Sequence, residues 1–171
     1  GAMTDQAYLS EQGYLALGVK QSIFHVDERA EVYAIFKHYL QDLEKQNLAD
    51  LNILSYDYLS KVKPSYDFVV IDEVQDITAI QLYLILNSLS QKGLFLMCGD
   101  ANQIVHPNFF SWAKVKSLFH RHEELHHGAE ITHILQHNYR NAQRITEISN
   151  RVLLLKNARF GSIDKESRYL V

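Results

Sequence analysis

The chain has 171 residues, 47% of them hydrophobic and 22% charged, the balance of a soluble α/β domain rather than a disordered or fibrous chain. Its net charge of −3 excludes a generally basic, nucleic-acid-coating composition, so any strand binding must be local. One cysteine, Cys98, excludes an internal disulfide and fits a reducing compartment (cytoplasm, or nucleus in a eukaryote), and no apolar run approaches the ~18 residues of a membrane span.

In chain order, Gly1 and Ala2 before Met3 read as a cleavage scar, so residues 1–3 are set aside. The length then predicts one domain. Residues 4–20 hold Tyr8, Leu9, Leu15 and Leu17 between Gly13 and Gly18 and read as a short helix. Over residues 27–46, Val32, Ile35, Phe36, Tyr39, Leu40 and Leu43 recur at three- and four-residue steps, with Asp27 as the expected cap. This helical lead-in is assigned residues 4–63, and Pro64 marks the step to a sheet.

Residues 66–136 read as strand, helix, strand, helix, strand. Phe68, Val69, Val70 and Ile71 form an unbroken apolar run, expected as a strand buried on both faces of a parallel sheet. Residues 81–90 place Leu82, Ile85, Leu86 and Leu89 on one helical face, with Gly93 as the stop. Residues 94–98 are the second strand, with Cys98 in its core, and the run from Ile131 to Leu135 the third. A helix over residues 141–156 is expected to turn Ile145, Ile148 and Val152 inward.

The chemistry sits where strands end. Ligands of parallel α/β sheets gather at the carboxyl ends of strands, and there the first strand stops in Asp72 and Glu73. An Asp so placed can hold a magnesium ion bridging nucleotide phosphates, as a Walker B Asp does, and the next Glu can orient or deprotonate a water. An ordinary acidic turn is the alternative. After the second strand, Gly99 suits a tight turn, and Asp100 and Gln103 can face the same crevice as Asp72. After the third, Arg140 can reach a γ-phosphate and stabilise transition-state charge. Six histidines crowd residues 120–137; His133 and His137 have a helical ligand spacing, but in strand and turn four residues span ~13 Å, and a solvated loop is the expectation. Phe109, Phe110 and Trp112 fit either core packing or base stacking.

Three motifs in this order carry a resemblance. "VVIDEVQD" resembles motif II of the UvrD/Rep-like superfamily 1 helicases, "CGDANQIV" their motif III and "LQHNYRNAQRI" their motif IV. The stretch Leu48-Ala49-Asp50-Leu51 is similar to the segment that precedes motif II, and the resemblance spans about residues 31–155. It implies a three-layer parallel α/β sheet of P-loop NTPase (RecA-like) type, incomplete here. Residues 64–130 would be the core with motifs II and III, and residues 131–171 the start of a second motor domain with motif IV. It implies ATP and Mg2+ as cofactors and single-stranded DNA as partner, in an ATP-dependent helicase or translocase. Asp72 would be the magnesium ligand, Glu73 the base, Gln103 the γ-phosphate sensor and Arg140 a γ-phosphate contact, with Asp100 and Tyr139 at the nucleotide.

Two departures stand out. The family often continues motif III with Tyr-x-Trp-Arg-Gly, whereas here His106-Pro107-Asn108-Phe109-Phe110-Ser111-Trp112 follows. None of the seven glycines is followed by Lys, so these residues contain no Gly-Lys-Ser/Thr phosphate loop. The expectation is a middle section of a longer motor, the remainder of which is its partner. A non-catalytic helicase-like scaffold within a larger protein is the alternative.

Overall fold

The computed structural model describes residues 6–18, 21–91, 93–104, 110–121, 133–135 and 137–162. The chain divides into two compact units between Val62 and Lys63, where the length alone predicted one domain.

The first unit is helical: α1 (Glu11–Leu15), a 3-10 turn (Val26–Glu28), α2 (Arg29–Gln46) and α3 (Leu51–Tyr58). Ser10 caps α1 by accepting from the Gly13 N–H at 3.1 Å. Asp27 does not cap α2: it lies inside the 3-10 turn, paired with His25 at 3.0 Å, while Glu28 accepts from the His25 N–H at 2.9 Å. The hidden stripe of α2 is also rotated from the expected one. Arg29 and Tyr33, one turn apart, are buried, whereas Ile35 and Tyr39 are exposed. Polar chemistry explains the rotation. The Tyr33 hydroxyl donates to the Leu9 carbonyl at 2.9 Å, and its ring packs on Tyr14 and Phe36. The Arg29 guanidinium donates to the carbonyls of Leu15, Leu17, Gly18 and Phe24, so a buried cation closes the α1 loop onto α2.

Asp50 joins α2 to α3. Its Oδ1 accepts the N–H groups of Asn52 and Ile53 at 2.8 and 3.1 Å, an N-cap, and its Oδ2 accepts the Tyr39 hydroxyl at 2.8 Å. Burial alone would raise the Asp50 pKa, but the bonds from Ile53, Tyr39 and Asn52 outweigh it and hold the carboxyl below its ordinary value. Tyr39 is raised, chiefly by the same hydrogen bond, then by burial and by the Asp50 charge. The Asp50 contribution is therefore full above about pH 4 and lost as pH falls through the lowered value. That of Tyr39 is full below about pH 10 and lost as pH rises through the raised value. Asp50→Ala should cost this unit about 1 kcal/mol in urea unfolding. Asp50→Asn should keep the cap and remove Asp50's share of the acid sensitivity; an Asn variant as unstable as Ala at neutral pH would disprove the capping role.

The second unit contains β1 (Val69–Ile71), a 3-10 turn (Val74–Asp76), α4 (Ala79–Asn87), β2 (Phe95–Met97), α5 (Trp112–Arg121) and α6 (Gln143–Phe160). The strands are parallel, with Val69, Val70 and Ile71 opposite Phe95, Leu96 and Met97. Parallel strands need a crossover, and α4 supplies it. Thr78 and Gln81 start that helix as a capping box, the Thr78 N–H donating to Gln81 Oε1 at 3.0 Å. The helix stops at Asn87. Leu89 is buried beyond it, and Gly93, with φ 92°, serves the turn into β2 rather than the helix end.

Ile71, Val74, Leu82, Leu86, Leu89, Ala101, Phe110 and Val115 form the core. Several expectations are corrected by it. β1 is buried on one face only: Ile71 is 5% exposed, but Val70 is 61% and Phe68 56%. Successive strand side chains alternate, and among the described residues helices cover one side of the sheet. Cys98 lies just past β2 and is exposed, not in the core. Of the proposed third strand, Ile131 and Thr132 lie outside the described residues, and His133, Ile134 and Leu135 belong to no strand. The described sheet thus has two strands, mixed α/β architecture without a demonstrated third layer. Helix α6 exists, but Ile145, Ile148 and Val152 are exposed at 53%, 63% and 61%. Thr146, Asn150, Leu153, Lys156 and Asn157 make its sheltered side instead, so it leans on the unit by a largely polar stripe. No described helix is long and apolar enough to cross a membrane.

Candidate functional site

The parallel register sets the ends of β1 and β2 side by side. Two backbone bonds stitch them beyond the strands: Cys98 N–H donates to the Ile71 carbonyl at 2.8 Å, and Val74 N–H to the Cys98 carbonyl at 2.9 Å. Between these bonds the chain turns through Asp72 and Glu73, both exposed. Glu73 adopts a left-handed conformation, φ 50° and ψ 43°, which costs a non-glycine residue roughly 1–2 kcal/mol. Asp72 Oδ1 accepts the Glu73 N–H at 2.9 Å, and the Glu73 carbonyl accepts the Asp76 N–H at 2.9 Å, which hold the turn. A strained non-glycine residue at a strand end belongs to the pattern of functional sites.

Gln75, 1% exposed, links the two strand ends. Its Nε2 donates to Glu73 Oε2 at 2.6 Å, and its Oε1 accepts the Asp100 N–H at 3.0 Å. Asp100 in turn accepts the Asn102 N–H at 2.8 Å and the Gln103 side-chain amide at 2.9 Å. Asn102 Oδ1 accepts from Lys156 of α6 at 2.9 Å. Glu73, Asp100 and Gln103 are thus joined by hydrogen bonds, with Asp72 adjoining them through the Glu73 N–H.

Gly99 makes this possible by close approach, to motif II rather than to a ligand. A Cβ at 99 would fall 2.5 Å from Gln75 Oε1 and 2.8 Å from Val74 Cγ1. Sequence reasoning carried Gln75 within VVIDEVQD and gave it no role, and it missed Lys156. The readable signal for Gln75 is an amide two residues after a carboxylate, within reach of it across one turn.

The remaining candidates are not gathered here. Tyr139 is 93% exposed and Arg140 is exposed. Asn138 Oδ1 accepts the N–H groups of Arg140 and Asn141, each at 3.0 Å, so the motif is an Asx-type turn leading into α6. Phe110 is 7% exposed inside the core, Trp112 is half-buried and packs edge-on against it at 5.4 Å, and Phe109 lies outside the described residues. His133 and His137 are exposed and in no helix, while His122, His126 and His127 lie outside the described residues.

Residues 7–126 match the family model of the UvrD/REP helicase N-terminal domain. The chain belongs to this family. The UvrD/REP domain here is 27% identical over 138 residues to a probable DNA helicase II homolog of Mycoplasma capricolum, covering 77% of the chain and 18% of that protein. It is 29% identical over 150 residues to the ATP-dependent DNA helicase Rep of Buchnera aphidicola, covering 77% of the chain and 22% of the relative. A third relative has another kind of name, the human TPR and ankyrin repeat-containing protein 1, at 29% over 119 residues, 66% of the chain and 4% of that protein. The chain therefore spans about a fifth or less of the length of these curated relatives.

Proposed function

We propose that this UvrD/REP domain is part of an ATP-driven motor that moves along single-stranded DNA. The observation that carries the proposal is the hydrogen-bonded line from Glu73 through Gln75 to Asp100 and Gln103, at the carboxyl ends of two adjacent parallel strands. In a P-loop NTPase of three layers this is where a nucleotide lies. The donor set suits a magnesium ion: Asp72 has one oxygen engaged by a backbone N–H and a second to offer, and magnesium asks for one or two carboxylates beside phosphates. Bound Mg2+ and ATP supply the phosphoryl group to be transferred and the cation that neutralises its charge.

The chain's own residues do the rest in this reading. Glu73, with Oε2 held by Gln75, takes the proton of the attacking water. Gln103, held by Asp100, meets the γ-phosphate and couples its presence to DNA. Arg140 and Tyr139, at the head of α6, belong to a second motor domain that starts near residue 131 and closes on the nucleotide. Closure on ATP and reopening after hydrolysis move the DNA by steps. The relatives named as DNA helicases support this reading, and membership of the UvrD/REP family, which implies a P-loop NTPase fold, supports the three-layer arrangement.

A second reading has an observation of its own. One relative is named for its TPR and ankyrin repeats and not as a helicase, and the chain covers 4% of it, which favours a non-catalytic scaffold segment of a larger protein as the alternative. The two readings differ on the phosphate loop, which this chain does not contain in any of its seven glycine contexts. The 171-residue chain is expected neither to hydrolyse ATP nor to bind it tightly, because carboxylates alone hold magnesium weakly. Robust turnover abolished by Glu73→Gln would show the chemistry complete within these residues. For the motor itself the test is DNA-stimulated ATP hydrolysis by the full-length protein. No hydrolysis, with no Gly-Lys-Ser/Thr loop in its sequence, would leave the scaffold.

A further inference from the structure

The Gln75 amide is buried, and a buried amide left unsatisfied is costly, so the destinations of its two ends are informative. They go to different strand ends, Nε2 to the Glu73 carboxylate and Oε1 to the Asp100 N–H. One amide orientation alone serves both, since a flip would face the carbonyl with a carboxylate and the NH2 with an N–H. Nor can the amide move aside freely: Val74, 1% exposed, and the bare Cα of Gly99 wall it in. On the far side the Asp100 carboxylate holds Gln103.

We propose that Gln75 is a positioning residue: it fixes the Glu73 carboxylate and ties it to the Asp100–Gln103 turn, so that a change at one strand end is felt at the other. The catalytic half of this inference rests on the reading of Glu73 as the base. Glu73 sits in a left-handed conformation just before Gln75, and the 2.6 Å bond is the contact that gives its side chain a single place.

Two experiments decide it. In the 171-residue chain, Glu73→Ala is expected to move the Asp100 amide resonance, because the lost carboxylate polarised the amide that accepts from Asp100. In a Gln75→Met background the same substitution should leave that resonance still. A response of equal size in both backgrounds, or in neither, overturns the bridge.

In the full-length protein, Gln75→Met and Gln75→Glu should each lower kcat about 10–100-fold, the range for losing a supporting partner. The KM for ATP should stay within about twofold, because a transition-state contribution rather than binding is lost. Gln75→Glu keeps the shape and the acceptor for Asp100 but sets a second carboxylate against Glu73, so its melting temperature should fall, while Gln75→Met keeps an uncharged side chain. A kcat loss in both, assayed well below either melt, is lost positioning rather than lost folding. A normal kcat in Gln75→Glu and Gln75→Met overturns the positioning role. If the wild-type full-length protein hydrolyses no ATP, the motor reading fails, and the resonance experiment still decides the bridge.

Discussion

Arg140→Ala in the full-length protein is expected to lower DNA-stimulated ATP hydrolysis by ~10³–10⁵, the range in which arginine fingers act. The melting temperature should not move. The side chain is exposed at the head of α6, and Asn138 fixes the peptide by accepting the Arg140 N–H at 3.0 Å. A charge presented this way reaches a γ-phosphate only when a second surface closes over it, so its contribution belongs to the transition state. Lys keeps the charge and loses the planar fork, so Arg140→Lys should fail as Ala does. The bland alternative is a surface ion pair with Glu147, worth ~0–1 kcal/mol. Glu147 Oε1 instead accepts from Gln143 at 2.9 Å, its neighbour one turn back. A normal rate with a slightly lowered melt would leave Arg140 a surface residue.

In the full-length protein, Glu73→Gln should lower hydrolysis at least ~100-fold while nucleotide binding stays nearly intact, the usual loss with a general base. The amide is an isostere, and its carbonyl can still accept from Gln75, so the turn and the bridge should survive. What disappears is the ability to take a proton from water. An unchanged rate would place catalysis on another group, and a loss of nucleotide binding equal to the loss of rate would make Glu73 a binding residue.

The strand ends were legible because their signals are local. An apolar run that stops in two carboxylates, and a second that stops in Gly99 and Asp100, place charged groups at the mouth of a parallel sheet without reference to anything distant. Ser10 and Thr78 cap their helices by the same short-range rule, since a cap acts within three residues, but the only N-cap expected from the sequence, Asp27, caps no helix. Burial is less local. Val70 and Ile71 are equally apolar neighbours, yet one is 61% exposed and the other 5%, because only one face of the strand pair meets α4 and α5. Apolar spacing likewise gave α6 an inner face through Ile145, Ile148 and Val152, and in the folded unit that face is open.

By itself, then, the sequence determined which short segments end in charged and polar groups, in what order, and at which ends of which elements. Local propensity and the alternation of apolar and polar residues act over a few positions and are written in the chain. The tertiary structure decided which of these groups meet. Asp100 lies 25 residues from Gln75, Lys156 lies 54 from Asn102, and Arg29 takes carbonyls 5 to 14 residues back. Each of these pairs is an ordinary polar residue in the text. It becomes a bridge, a brace or a cage only where packing removes water from both partners, which makes an unmade hydrogen bond costly and a made one specific.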